Sequence, residues 1–447
     1  MSLHLSAFRD ALDGILPSAI ATTSASGEVN VSYLSDILYL DESHLALSFQ
    51  FFNKTRQNIL ENPYAQVLVL HPGSSEKYRI SVQYLRTETH GPLFERMRAK
   101  LAGIASHHGM AEVFQLRGAD IYRVIAIEKV NSAAQPLPAQ PSLMPALRRV
   151  QDTLSRCRSG DALISALFPT LAREMGIEHG MVLALDRGSG RLYTLASHGY
   201  ATSGVGSEVA LGDGVIGVCA EVSAPIRINH MLHENAYTRA IRRTAGDAYD
   251  LAPEIPLPGL IDPQSQLAVP IAIGGTLKGV LFVESPRNHA FTYEIEDALS
   301  IIGLSFGALL MQFHDGGCSE FDADLPEETP PCDCPVSGSA LRVRYYSGTA
   351  TVFLNDDYLI KGVAGAILWK LLREFAANGR TRFSSRELRL DPQLGLPHLS
   401  DNLATRLILL KRRLEERDNG IRLTQGGRGQ LLLEVLHPLD LIEAGAA

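Results

Sequence analysis

The sequence predicts a multidomain α+β protein of three modules joined by two linkers, and three observations carry that reading. The chain has 447 residues, too many for one hydrophobic core. Two stretches, 131–142 and 315–338, lack apolar periodicity. The first is rich in Pro, Ala and Gln; the second is acidic, with four prolines and no Lys or Arg, so neither can bury enough apolar surface to order itself. Each remaining segment, 1–130, 143–314 and 339–447, has the size of a domain and mixes strand-like and helix-like patterns.

Bulk composition narrows the class. Hydrophobic residues make up 45% and charged residues 20%, ordinary values for a globular chain. The opening "MSLHLSAFRDALDG" carries Arg9 and Asp10 where a signal peptide needs an unbroken apolar core. The best apolar run, "LSIIGLSFGALLM", is short and holds two glycines. A cytoplasmic protein with no membrane partner is expected. Five cysteines in such a chain argue against a disulfide framework. The net charge of −8 does not suggest a general nucleic-acid binder, although it averages over modules that differ.

Segment 1–130 is strand-rich. "PSAIATTSASGEVNVSYLS" reads as strand, turn at Ser26-Gly27, strand; "HLALSFQFF", "AQVLVLHP", "YRISVQYLRTETHG" and "ADIYRVIAIEKV" continue the pattern. Many antiparallel strands with few helices suggest a small barrel. "FFNKTRQNILENP" places cations and a hydroxyl where a strand hands over to a helix, a position suited to an anion. Here the chain resembles the pyridoxamine-5'-phosphate-oxidase-like split barrel, an FMN-binding family. The resemblance implies that Lys54 and Thr55 bind the FMN phosphate, with Gln50 and Asn53 beside them. "VNVSYLS" departs from the family by lacking the Arg usually aimed at that phosphate. His107 and His108, adjacent at a predicted helix end, point in different directions and read as a solvated terminus.

Segment 143–314 opens with two helices, "LMPALRRVQDTLSRC" and "ALISALFPTLAREMG". Strands follow in "HGMVLALDRGSGRLYTLASHG", with a turn at Arg187–Gly190. The segment closes with a long helix, "YEIEDALSIIGLSFGALLMQ", whose Leu299, Ile302, Leu304, Phe306 and Leu309 fit a mostly buried face. "LGDGVIGVCA", "QLAVPIAIGGTLKGVLFVES" and the terminal helix resemble a GAF domain. That resemblance implies an α/β sandwich, a small-molecule ligand and dimerisation through the end helices. A long irregular insert, "NHMLHENAYTRAIRRTAGDAYDLAPEIPLPGLIDPQ", lies where the family covers its ligand. His230 and His233 within it lack a third ligand of fitting spacing. Cys219 sits in an apolar run with no adjacent cation, as a buried, inert thiol would.

Segment 339–447 reads as short strands in "RVRYYSGTATVFLNDDYLI", a helix in "GVAGAILWKLLREFAANGR" stopped by Gly379, and a helix from "SSRELRL" capped by Ser384 or Ser385. A third helix follows in "SDNLATRLILLKRRLEERDNG", capped by Ser400 or Asp401, and then a hairpin in "IRLTQGGRGQLLLEV". On the third helix Leu403, Leu407, Leu410 and Leu414 form one buried stripe. Thr405, Arg406, Arg412 and Arg413 take the opposite side, with Lys411 at its margin. The order resembles the response-regulator-type winged-helix DNA-binding domain, on "LILLKRRLEE" as recognition-helix ending and "LTQGGRGQLLL" as wing. From Ser337 onward there are 16 Lys and Arg against 12 Asp and Glu, a positive module in a negative chain. The resemblance implies that Thr405, Arg406, Lys411, Arg412 and Arg413 lie on the DNA-facing side and that Arg428 contacts DNA from the wing. Leu409 stands where that family often has a basic residue.

His314, Cys318, Cys332 and Cys334 give H-x3-C-x13-C-x-C around the acidic linker, four potential ligands for zinc or an iron–sulfur cluster. The spacing matches no standard signature, and the acidic surroundings oppose thiolate formation. The sequence therefore points to a cytoplasmic, homodimeric transcription regulator, responsive to a ligand or to redox state and binding double-stranded DNA. The competing class is an FMN-dependent oxidoreductase with accessory modules, for which no set of acid–base groups stands out.

Overall fold

The computed structural model describes residues 3–12, 18–34, 36–49, 54–71, 74–91, 93–98, 116–130, 142–228, 255–315, 340–394, 403–417, 420–427 and 429–444. Both predicted linkers fall almost wholly outside these residues, as do His107, His108, His230 and His233.

The N-terminal module contains β1 (Ser18–Thr23), β2 (Val29–Leu34), β3 (Ile37–Asp41), β4 (His44–Phe49), α1 (Lys54–Glu61), β5 (Tyr64–Leu70), β6 (Lys77–Glu88) and β7 (Gly118–Val130). Its seven strands pair in the order β2-β1-β5-β6-β7-β4-β3, every pair antiparallel. In this order β2 and β3 are edges, so hydrogen bonding among the described residues does not close the expected barrel. Period-two alternation puts Ala65, Val67 and Val69 of β5 inside. They pack with Ile20, Ile80, Val82 and Tyr122, and with Leu5, Phe8 and Leu12 from a short 3-10 helix, Leu5–Leu12.

The central module comprises α2 (Met144–Ser155), α3 (Gly160–Met175), β8 (His179–Asp186), β9 (Arg191–His198), β10 (Glu208–Ala210), α4 (Gly214–Val222), β11 (Ile226–Ile228), β12 (Ser265–Ile273), β13 (Thr276–Ser285) and α5 (Tyr293–Asp315). The sheet runs β10-β9-β8-β13-β12-β11. One face packs on α2, α3 and α5 through Val182, Leu195, Val269, Leu281 and Phe306. The other packs on α4 through Met181, Leu183, Val280 and Phe282. Ser159 caps α3 by accepting a bond from the Ala162 N–H, and Gly176 ends it at φ 66°. The stripe expected on α5 is buried at Leu299, Ile302 and Phe306, but Leu304 is 54% exposed beside Ile301 at 49%. The stripe pattern placed Leu304 one step too far round the helix.

The C-terminal module holds β14 (Leu341–Tyr346), β15 (Thr351–Leu354), β16 (Asp357–Ile360), α6 (Gly362–Asn378), β17 (Arg382–Ser384), α7 (Ser385–Leu390), α8 (Leu403–Arg417), β18 (Ile421–Gly427), β19 (Gln430–Val435) and β20 (Leu439–Ala444). Gly379 ends α6 in the left-handed region, and Ser384 caps α7 by accepting from the Arg386 N–H. Both agree with the sequence. The last strand was not anticipated: β20 pairs in parallel with β14 and ties the end of the module to its start.

Apolar packing does not stop between the last two modules. One buried cluster runs from α2, α3 and α5 into Leu368, Leu372, Leu407, Leu409, Leu410 and Leu414. Charge pairs join the first two modules. Arg9 reaches Asp297 at 2.9 Å and Arg96 meets Glu296 at 2.7 Å, while Arg227 of the central module itself holds the same Glu296 at 2.7 Å. The Arg9 and Arg227 guanidiniums lie 4.2 and 4.0 Å from the Tyr293 ring centre, within cation–π range.

Candidate functional site

Helix α8 is where the sequence placed most of its candidate residues, and its surroundings differ from the expectation. The leucine stripe is buried as predicted. The opposite side is not solvated. Thr405, Arg406 and Arg413 are buried, and Leu409 is buried in the shared apolar cluster instead of facing outward. The physical reason is that α8 lies between two layers. Its own module covers one side and the central module covers the other, so no broad face is left to water.

The basic residues meet carboxylates far away in sequence. Arg406 donates to Asp186 at 2.8 Å. Lys411 donates to Asp161 at 2.8 Å. Arg412 bonds the same carboxylate at 3.2 Å, the Asp161 carbonyl oxygen at 3.3 Å and the Ser165 hydroxyl at 2.7 Å. Burial works against the Asp161 charge, but Lys411 and Arg412 outweigh it and hold its pKa below the usual aspartate range. Arg413 differs from its neighbours: it donates to the Leu359 carbonyl oxygen and to Glu416, within its own module. It is a structural group of that module, not the outward contact expected. Lys361 adds a pair to Glu208 at 3.1 Å, and the Ser203 hydroxyl bonds Glu416. A cavity of about 30 Å³ remains at the seam, lined by Val182, Leu195, Ile271, Phe306, Leu310 and Thr405. It is far smaller than the several hundred Å³ that a small-molecule ligand needs.

A second polar site lies in the central module, on the α4 side of the sheet. Glu284 of β13 is 3% exposed and accepts bonds from the Leu260 N–H at 2.6 Å and the Gln266 amide at 3.1 Å. Burial pushes its carboxyl above the ordinary value; Leu260, Gln266, Tyr200 and His179 oppose that only in part. Burial, and then the Glu284 charge, push the Tyr200 phenol up. Among the described residues the Tyr200 hydroxyl turns toward Glu284 without reaching full hydrogen-bond geometry, and the Gln266 Oε1 has no partner. An acidic group with a spare acceptor beside it suits a ligand that donates hydrogen bonds. Cys219 of α4 is fully buried and its thiol is pushed up by burial, in keeping with an inert cysteine.

The N-terminal corner departs from the phosphate reading. Lys54 starts α1, but its ammonium pairs with Glu28 of the β1–β2 turn at 3.1 Å. Thr55 is buried and its hydroxyl accepts from the Asn30 amide at 2.8 Å. Arg56 turns inward to Asp120 at 2.7 Å and Thr87 at 2.8 Å. In this structure the described cations of the corner are paired with carboxylates, Lys54 at an exposed pair and Arg56 at a buried one. Gln50 and Asn53 lie outside the described residues.

Arg428, Cys318, Cys332 and Cys334 also lie outside them, and His314 is described only as part of the α5 backbone. Among the described residues no three His, Cys, Asp or Glu side chains come together as metal ligands, and no helix is long and apolar enough to cross a membrane.

Residues 158–311 match the family model described as GAF domain. This part of the chain is a GAF domain. No curated protein matches the chain. Among solved structures, the GAF domain of a phosphoenolpyruvate-protein phosphotransferase from Coxiella burnetii is similar at 19% identity, covering 39% of this chain and 96% of that one, with a TM-score of 0.31. A free methionine-R-sulfoxide reductase from Neisseria meningitidis is similar at 15% identity, over 40% of this chain and 98% of its own, at 0.31. An FMN-binding protein from Syntrophomonas wolfei is similar at 18% identity, over 28% of this chain and 88% of its own, at 0.25. Such slight similarity decides nothing about the N-terminal module.

Sequence reasoning missed Asp161, Asp186, Glu284 and Gln266. Asp161 follows the Ser159 cap and reads as an ordinary first-turn acid. Its partner Lys411 is 250 residues away, and nothing local marks the pairing. Glu284 did carry a signal, a lone acid at the end of the apolar run "GVLFVES".

Proposed function

We propose that this chain is a ligand-responsive transcription regulator, in which the GAF domain senses and the C-terminal module binds double-stranded DNA in the cytoplasm. The observation that carries the reading is the direct packing of α8 on the GAF domain, which makes the two modules one energetic unit. A change in the sensor is therefore felt at a basic helix that precedes a glycine-tipped hairpin. The order of helix, strand, short helix, long helix and hairpin supports a winged-helix reading, and the module's positive surplus suits phosphate contacts. On this reading Arg406, Lys411 and Arg412 meet DNA, with Arg428 at the hairpin tip, while Thr405 and Arg413 support the helix.

The ligand enters the reading at the Glu284, Gln266 and Tyr200 cluster, as a molecule that donates hydrogen bonds. Exposed Ile301 and Leu304 on α5 support a homodimer through the GAF end helix. The N-terminal module takes part as a split-barrel companion held to the GAF domain by Arg9, Arg96 and Tyr293. The cations of its corner are paired with carboxylates of the same module, and no redox step is assigned to it.

The test is a titration of the full chain against a fluorescein-labelled duplex of mixed sequence at several salt concentrations. Lys411→Ala with Arg412→Ala is expected to weaken binding and to flatten the salt dependence by roughly two phosphate contacts. If affinity and salt slope are both unchanged, α8 does not bind DNA and the reading is lost.

A further inference from the structure

The cations assigned to DNA are already engaged. We propose that the GAF domain and duplex DNA compete for the same cationic side of α8, with Asp161 and Asp186 standing where DNA phosphates would stand. This rests on the DNA-binding reading above and states how that binding is regulated.

The geometry carries the proposal. One carboxylate, Asp161, takes both Lys411 and Arg412, as a phosphate oxygen pair would. Arg412 is held further by a backbone carbonyl and a serine hydroxyl of α3. Asp186, at the end of β8, takes Arg406. The remaining exposure of the Lys411 and Arg412 side chains is 29% and 15%, and their charged groups are held by Asp161 while α8 is docked. Close packing backs the charge pairs: a β-carbon at Gly160 would come 3.1 Å from the Ile408 Cδ1. Glycine there lets α3 approach α8.

The energetics suit a reversible contact. Partly buried ion pairs return little net free energy, because desolvation offsets most of the Coulomb attraction. DNA supplies the same charge complement together with counterion release. Docked and DNA-bound arrangements therefore satisfy the same cations, while the apolar cluster shared by α8 and the GAF helices sets the cost of undocking that a change in the GAF domain has to offset. Arg413 does not take part in the exchange: its partners Leu359 and Glu416 belong to its own module and stay with it in either state.

The experiment uses the full chain with Asp161→Asn and Asp186→Asn together, which leaves every proposed DNA contact in place. Affinity for the labelled mixed-sequence duplex is measured alongside amide exchange of residues 403–417 and of the GAF helices. The expected result is faster exchange in α8, unchanged exchange in the GAF core, and DNA binding tighter by about tenfold, the gain from releasing a docked state populated ~90%. If wild type and variant bind DNA equally, the competition is overturned and the DNA-binding reading stands. If α8 exchanges faster yet neither protein binds DNA, the DNA-binding reading falls, and the competition with it. If exchange rises throughout the GAF domain, the single variants replace the pair, and equal DNA affinity in both again overturns the competition.

Discussion

At Gly217 a β-carbon would lie 2.2 Å from the Ala210 carbonyl oxygen, so α4 can lie against the β10 turn only without a side chain at that position. Gly217→Ala is expected to lower stability by about 1–3 kcal/mol, read from the denaturant midpoint at unchanged m-value. Glu284 invites a test of pH. Its folded pKa is raised, so ionisation is costlier in the folded chain than in the unfolded one. Its contribution is most favourable below 4.5, the ordinary glutamate value, and is lost as pH rises through the higher folded value. Glu284→Gln removes that loss and can still accept the Leu260 N–H. Its melting temperature relative to wild type is expected to climb as pH rises from 4.5 upward and to stay level below it. A difference that does not vary with pH would mean that Glu284 is not a buried acid. Neither residue's contacts were readable locally. Gly217 sits in a helix-compatible run, and the neighbours of Glu284 come from β8, β12 and the 255–264 loop.

Among the elements, local chemistry was a good guide to where helices start and stop. The cap at Ser384 and the stop at Gly379 are local hydrogen-bond and dihedral requirements that the sequence stated, and Ser159 and Gly176 do the same work on α3 without having been singled out. Facing was harder. On α5 the apolar residues surround the helix, so periodicity could not say which side meets the sheet, and Leu304 fell on the wrong one. The outward residues Ile301, Leu304 and Ala308 follow i, i+3, i+7, the spacing of a helix seam. Ile301→Asp with Leu304→Asp is expected to convert a dimer to a monomer in sedimentation velocity while circular dichroism is unchanged. A wild-type monomer, or a variant dimer, would remove α5 from the interface. Strand β20 was missed for a related reason. "LDLIEA" alternates weakly, and what makes it a strand is the free edge of β14, which lies nearly 100 residues earlier in the chain.

Over the whole molecule, the sequence by itself determined the GAF domain at residues 158–311, the buried leucine stripe of α8 and the cations on its other side. Each is set by composition, period or a local motif, and these survive whatever the modules do to one another. Only the tertiary structure decided what those cations touch. Asp161, Asp186 and Ser165 belong to another module and lie more than 200 residues from their partners, so no window of sequence contains both halves of the contact. At the other end of the chain the partners are nearer and within one module, Lys54 with Glu28 and Arg56 with Asp120, yet folding again decides which carboxylate each cation meets. A run of basic residues announces that negative charge is needed nearby. Whether that charge is a phosphate or a carboxylate of the same chain depends on which groups folding brings within about 3 Å, and that is a property of the packed molecule.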